Sequence, residues 1–320
     1  MQTPREPSAA PPPRPSPWEE RAAQKLLVAL APRLPRVAVT APPKRLAPYE
    51  RLTIARPGRA GGLAATWYPA PAAHGAVLLV HPWMEWGQTY FHRRGRVEAL
   101  RRAGYHALSF DLPGFGGSAA ADGLYDRDVE DALAALAARA PGLPLHVWGI
   151  SSGGYWALAV LARRNGVAGA MFEDVAPHLL RWSRRMAPLG APAYRCFEWL
   201  LPRAFRYLDM TRHAPHLTAR AATFLSGALD RGVRPADTER LAGLAGAGCR
   251  ILPDAPHLGA IKQATGEVIG LALETFENAA ARPSPDLRSR APPSSDVSVR
   301  AYGECHHSVV LRPFLFVSPY

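Results

Sequence analysis

Gly149-Ile150-Ser151-Ser152-Gly153-Gly154 is the stretch of this sequence whose residue types and spacing speak most directly of chemistry. An apolar run, residues 145–149, leads into it, and a helical apolar pattern, residues 153–164, leaves it. A serine on a sharp strand-to-helix turn is held with its Oγ exposed, and such a turn needs small residues on either side, here Gly149 and Gly153. The following helix offers free backbone N–H groups and the positive end of its dipole where an oxyanion would form. As five letters, G-x-S-x-G is common in Gly- and Ser-rich turns; the strand before and the helix after give it meaning. A serine hydroxyl is a poor nucleophile at neutral pH. It needs a base, which a histidine can be near neutrality, and a carboxylate to orient and stabilise the resulting imidazolium.

The rest of the chain must position those groups. Short apolar runs bounded by Gly and Pro read as buried strands at residues 63–68, 76–80, 105–110, 145–149, 167–174, 222–225 and 250–252. Helical patterns fall at 93–103, 129–139, 153–164 and about 261–276. This alternation predicts an α/β fold with a mostly parallel sheet, helices on both faces and a ligand site at the carboxyl ends of the strands. Residues 1–17, with seven prolines, read as a flexible, disordered arm. Residues 18–45 read as one helix, ending near Leu34, and a linker; residues 46–281 read as the folded domain, and the Pro-, Ser- and Arg-rich residues 282–320 as a mostly disordered tail.

At several separate segments the chain resembles the α/β-hydrolase fold family, over roughly residues 50–280. Val80-His81-Pro82-Trp83 is similar to the family's strand ending in an oxyanion loop, and Asp111-Leu112-Pro113-Gly114-Phe115-Gly116-Gly117-Ser118 to its D-x-P-G-x-G-x-S loop. Gly227-Ala228-Leu229-Asp230 resembles its acid loop and Pro253-Asp254-Ala255-Pro256-His257-Leu258 its histidine loop, in the family's order Ser, Asp, His. The resemblance implies Ser151 as nucleophile, His257 as base then acid, and Asp230 as orienting carboxylate. It implies the backbone N–H groups of Ser152 and Trp83 as oxyanion donors. Pro82 stands where the family usually has glycine; it has no N–H, but the implied donor is the next residue. Asp174 or Glu173, one strand earlier, are alternative acids, and His213, His216 and His81 compete with His257, His81 more simply as a support of the oxyanion loop.

Between about residues 177 and 218 the alternation breaks into a segment rich in aromatics and arginine, where the family inserts a helical cap. Trp182 and Trp199 are the substrate-contacting candidates there, although packing the cap onto the body would use the same side chains. The implied activity is a serine hydrolase cleaving a carboxylic ester or thioester through an acyl-serine. Amidase, peptidase or acyltransferase chemistry on the same triad, or a catalytically silent ligand-binding protein of this fold, are the alternatives. A serine at the elbow argues against the dehalogenase and epoxide-hydrolase chemistries, which in this family use aspartate.

Composition fits this reading. In 320 residues, 48% hydrophobic and 20% charged, there is material for a sizeable core, which excludes a wholly disordered chain. The net charge of +12 lies mainly in the ends: residues 1–60 hold 11 basic and 4 acidic side chains, and only three of the 38 cations are lysines. Nucleic acid is therefore not the expected partner; a small ester or thioester is, with weak membrane-surface contact through the N-terminal segment as a further expectation. Cys196, Cys249 and Cys305 are odd in number and far apart, which suggests a reducing, cytoplasmic setting. Cys305-His306-His307 has no partner at zinc spacing, and neither a phosphate loop nor a dinucleotide fingerprint occurs, so no metal and no cofactor is expected. The oligomeric state is left open.

Overall fold

Residues 76–80 point alternately to two buried clusters: Ala76, Leu78 and Val80 belong to one, Val77 and Leu79 to the other. A strand covered on both faces must be apolar at every position, and this one is buried throughout. The computed structural model describes residues 10–30, 42, 44–83, 87–186, 191–260, 265–281 and 300–301. The strands are β1 (Glu50–Ala55), β2 (Gly62–Tyr68), β3 (Gly75–Val80), β4 (Tyr105–Phe110), β5 (Leu145–Ile150), β6 (Val167–Glu173), β7 (Ala221–Gly227), β8 (Gly248–Leu252) and β9 (Arg300–Ala301). They form one sheet in the order β8-β7-β6-β5-β3-β4-β2-β1-β9. β3 to β8 run parallel, while β1, β2 and β9 add an antiparallel edge. From β3 the chain winds outward to β4, then returns to β5 on β3's other side. The crevice between the carboxyl ends of β3 and β5 is thus the switch point where ligands of such sheets bind.

Helices cover both faces. α4 (Asp126–Arg139) and α5 (Ser152–Leu161) bury Leu133, Leu136, Trp156 and Leu158 in the cluster that holds Leu78. α3 (Arg96–Arg102) and α10 (Thr265–Ala281) bury Val97, Leu100, Val268 and Phe276 in the other. The single helix expected at 93–103 is two, α2 (Thr89–Arg93) and α3, because Gly95 between them turns into the left-handed region at φ 69°. Between β6 and β7 stand α6 (Leu179–Met186), α7 (Ala191–Leu200) and α8 (Pro202–Tyr207); α9 (Pro235–Ala245) separates β7 from β8.

The N-terminal segment differs from its expectation. Residues 10–16, read as part of a free arm, lie against the body: Arg14 binds Asp126 (2.7 Å) and Glu130 (2.8 Å), and the Pro12 carbonyl accepts from Arg163. Proline removes donors but not the ion pairs that a single arginine can make. α1 (Pro17–Leu30) follows, with Ala23 and Leu27 in the core, and it packs on α8. Residues 1–9, 31–34 and, apart from the two of β9, 282–320 lie outside the described residues, Cys305, His306 and His307 included. Among the described residues, no helix is long and apolar enough to cross a membrane.

Candidate active site

Ser151 directly follows β5, with φ 49° and ψ −118°. Its N–H donates to the Glu173 carbonyl of β6 (2.7 Å), and its own carbonyl accepts the Tyr155 N–H (2.9 Å), the first bond of α5. The two flanking glycines have no substitute. A Cβ on Gly149 would lie 2.5 Å from the Gly154 Cα, and one on Gly153 would lie 2.2 Å from the Val80 carbonyl oxygen and 2.4 Å from that of His81. The second contact matters most, because it shows the exit of β3 pressed against the first turn of α5. Ser152, at that turn, and Trp83, two residues beyond His81, are thereby brought to the two sides of one crevice.

Asp230 lies three residues beyond β7, in a loop tied to the loop after β8: the Ala228 N–H donates to the Leu252 carbonyl (2.8 Å) and that of Leu229 to the Ala255 carbonyl (3.0 Å). The carboxylate is buried, and its Oδ1 accepts the N–H groups of Gly232 (2.8 Å) and Val233 (2.9 Å). Its Oδ2 lies 2.6 Å from His257 Nδ1, and His257 Nε2 lies 3.2 Å from Ser151 Oγ. An ionised carboxylate only accepts, so Nδ1 carries the hydrogen and Nε2 turns its lone pair to the serine hydroxyl. Burial pulls the His257 pKa down, but the hydrogen bond to Asp230 and the charges of Asp174 and Asp230 outweigh it and leave the ring above its ordinary value.

The competing residues have other partners. Glu173 holds Arg96 through both oxygens (2.8 and 2.6 Å) and accepts from Trp148 Nε1. Asp174, also buried, accepts the Leu258 N–H on Oδ2 at 2.7 Å. His213 donates Nε2–H to the Tyr207 carbonyl (2.8 Å). His81 accepts the Leu112 N–H on Nε2 (2.9 Å) and donates Nδ1–H to the Pro82 carbonyl (2.6 Å), and complete burial pushes its pKa down. A neutral His81 therefore braces the loop that carries Trp83. Sequence reasoning passed over Asp111 and Gln88 there: Asp111 accepts the Gln88 N–H (2.8 Å), the Gln88 amide (3.1 Å) and the Gly117 N–H (3.2 Å). The first letter of D-x-P-G-x-G-x-S was the signal for Asp111; nothing in the sequence marks Gln88. The Trp83 indole is anchored edge-on to Phe115 (5.2 Å) and Tyr125 (5.5 Å).

The two candidate substrate-contacting tryptophans part company. The Trp182 ring lies 5.9 Å from that of His257, and a Cβ on Gly232 would come within 2.2 Å of its Nε1, so α6 sits directly on the acid loop. Arg185 completes that clamp, reaching the Gly232 carbonyl (3.0 Å) and Asp237 (2.6 Å). Trp199 is 80% exposed. On α7 the inward positions are taken by Phe197 and, just past its end, Leu201, four residues apart; Trp199 falls midway and points outward.

Among the described residues, the donor groups close enough together to hold a metal ion are Asp174, Asp230 and His257, whose ligand atoms lie within 4.8 Å of one another. Asp230 and His257 already bind each other. Cys196 and Cys249 are free and exposed.

A sequence profile for the family described as serine aminopeptidase, S33, matches residues 71–247, which contain the elbow, both loops around it and Asp230. No curated protein sequence matches the chain. Among solved structures, an esterase of Pyrococcus furiosus superposes with a TM-score of 0.63 at 18% identity, over 76% of this chain and 98% of that one. An esterase of Thermogutta terrifontis, solved with malate bound, gives 0.54 at 19% identity, covering 72% and 99%. The acylaminoacyl peptidase of Pyrococcus horikoshii gives 0.56 at 14% identity, covering 73% of this chain and 42% of that one. At such identities the likeness is one of fold, the α/β-hydrolase fold.

Proposed function

The chain belongs to the serine aminopeptidase S33 family of α/β hydrolases, and on that premise we propose that it cleaves a carboxylic ester or thioester through an acyl-serine intermediate. The observation that carries this reading is the unbroken row from Ser151 Oγ through His257 to Asp230, at 3.2 and 2.6 Å. Ser151 Oγ attacks the acyl carbon as His257 Nε2 takes its proton, and the carbonyl oxygen becomes an oxyanion facing the N–H groups of Ser152 and Trp83. Each such donor is worth about 3 kcal/mol in the transition state. Asp230, buried and holding Nδ1–H, stabilises the imidazolium. The imidazolium then protonates the leaving alkoxide or thiolate, and a water activated by the same ring releases the acid. Trp182, across from His257, bounds the space for the acyl or leaving group.

A second reading, amide or peptide cleavage on the same residues, is favoured by the family's description. It differs only in the leaving group that His257 must protonate. The test is a fluorophosphonate serine probe applied to wild type and Ser151→Ala, followed by p-nitrophenyl esters of increasing acyl length and by aminoacyl p-nitroanilides. Labelling and turnover that both vanish in Ser151→Ala are the expected outcome, and the better substrate series chooses between ester and amide. A folded wild type that neither labels nor turns over either series would leave a ligand-binding protein instead.

A further inference from the structure

Asp174 is placed in a way that packing alone does not explain. It is a non-glycine residue at φ 50°, a region that asparagine tolerates as well as aspartate does. Its carboxyl is 1% exposed, and while Oδ2 accepts the Leu258 N–H, Oδ1 has no hydrogen-bond partner among the described residues. An asparagine would make the same bond to Leu258 through its amide oxygen without burying an acid. What the acid adds is charge, and that charge lies beside the ring: a carboxylate oxygen of Asp174, one of Asp230 and a ring nitrogen of His257 are all within 4.8 Å of one another.

We propose that Asp174 is a positioning residue for His257 and its second carboxylate partner: through Leu258 it fixes the loop that carries the ring, and its charge, within 4.8 Å, supports the imidazolium alongside Asp230. The inference rests on His257 being the base of the proposed reaction. The groups around Asp174 set when that charge is present. Its carboxyl is raised to about 7 as the net of these: burial pushes it up most, His257, in the loop after β8, pulls it down, Asp230, after β7, and Glu173, on β6, push it up, and the Leu258 N–H pulls it down. Tyr90 of α2 also senses Asp174, and Arg96 of α3 is bound to Glu173. Asp174 therefore gains its charge in the pH range where His257 must act as a base, and in doing so it raises the ring's affinity for the proton of Ser151.

The test follows the ring, not only turnover. His257 ring signals, assigned by their loss in His257→Gln, are titrated by NMR in wild type and in Asp174→Asn, with kcat/KM–pH profiles for a p-nitrophenyl ester alongside. Removing a charge this close lowers the proton affinity of His257 by about tenfold or more, so its titration and the acid limb of kcat/KM both move to lower pH by at least about one unit. Leu258 keeps its acceptor, so the variant melts within a few degrees of wild type. A His257 titration that does not move overturns the proposal, and so does lower activity on an unmoved acid limb, which is what a merely structural role would give. Should Asp174→Asn fail to fold, the same coupling is read from the other side. The Asp174 carboxyl, followed by 13C NMR, must titrate at higher pH in His257→Gln than in wild type, and a coincident pair of curves overturns the proposal. These titrations need no substrate, so a wild type without Ser151-dependent turnover, which sinks the hydrolase reading, is told apart from a failure of this one.

Discussion

Gly153→Ala puts the construction of the site at risk in one methyl group. The added Cβ would lie 2.2 Å from the Val80 carbonyl oxygen and 2.4 Å from that of His81, both backbone atoms that no side-chain rotation can clear. Reaching an ordinary contact requires the first turn of α5 and the exit of β3 to separate by about 1 Å. That gap opens between the N–H of Ser152, adjacent to the substituted residue, and that of Trp83, two residues past His81. An oxyanion donor displaced by about 1 Å is largely lost, which costs about 10²- to 10³-fold in kcat. The same overpacking destabilises the fold by about 1–3 kcal/mol, or roughly 2–10 °C in Tm for a domain of this size. The assay is kcat/KM on a p-nitrophenyl ester at 25 °C, with the rate of fluorophosphonate labelling and a thermal melt. Gly243→Ala is the control: it lies inside α9 with nothing within 4 Å of the added Cβ, so it leaves activity unchanged and gains a few tenths to 1 kcal/mol of helix stability. Gly153→Ala with wild-type kcat/KM and Tm would refute the argument that this contact aligns the two donors.

Asp230→Asn keeps the shape of the acid but can offer Nδ1 a donor where an acceptor is needed; kcat on the ester should fall about 10⁴-fold with the melting temperature little changed, and a loss under tenfold would remove Asp230 from the role assigned to it. Stability should also fall in mild acid. His92, His146, His178 and His213 are buried, each with an Nδ1 that has no hydrogen-bond partner among the described residues, and burial pushes them down to about 4, 3, 4 and 4. Below pH 6.5 the unfolded chain takes up protons that these native rings refuse, so their contribution is lost as pH falls, by about 2 kcal/mol each at pH 5. Asp174 and Asp128, raised by burial to about 7 and about 6, act in the opposite sense and return about 3–4 kcal/mol between pH 7 and 5. The four rings outweigh the two carboxyls, so a Tm at pH 5 equal to or above that at pH 7 would contradict this reasoning.

What could be read in the sequence follows from what each element must bury. β3, β5 and β6 are covered on both faces, so they appear as runs that are apolar but for His146 in β5 and Glu173 at the end of β6, and the elbow is marked by glycines that nothing else could replace. β1 escaped because it buries only alternate residues, Leu52 and Ile54, and its polar positions hide the pattern. Side-chain direction was the larger gap. Glu173 and Asp174 are neighbours, yet one binds Arg96 and Trp148 and the other the histidine loop, a distinction made where the chain leaves β6 and Asp174 turns to φ 50°. Aromatic richness marked the insertion between β6 and β7 but not that Trp182 would lie over His257 while Trp199 faces solvent. The hold on residues 10–16 depends on Arg14 meeting Asp126, which also accepts from Tyr207 (2.6 Å), partners more than 100 and nearly 200 residues downstream of Arg14.

Backbone strain gives the site its coherence. Among the described residues, the non-glycine positions with positive φ are Ser151, Asp174 and Leu258, and all three belong to this cluster. Such conformations cost about 1–3 kcal/mol each and persist only where surrounding bonds enforce them. Here the sheet does the enforcing. β6 fixes Ser151 through the Glu173 carbonyl, β7 fixes Asp174 through the Leu225 carbonyl (2.8 Å), and Asp174 in turn fixes Leu258 beside His257. The serine and the histidine are thus referred to the same pair of neighbouring strands, one directly and one through Asp174. A disturbance of the β6–β7 register would move both ends of the 3.2 Å contact between Ser151 and His257, which explains why two of the strained residues, Ser151 and Asp174, directly follow the central strands β5 and β6 and the third, Leu258, is bonded to Asp174.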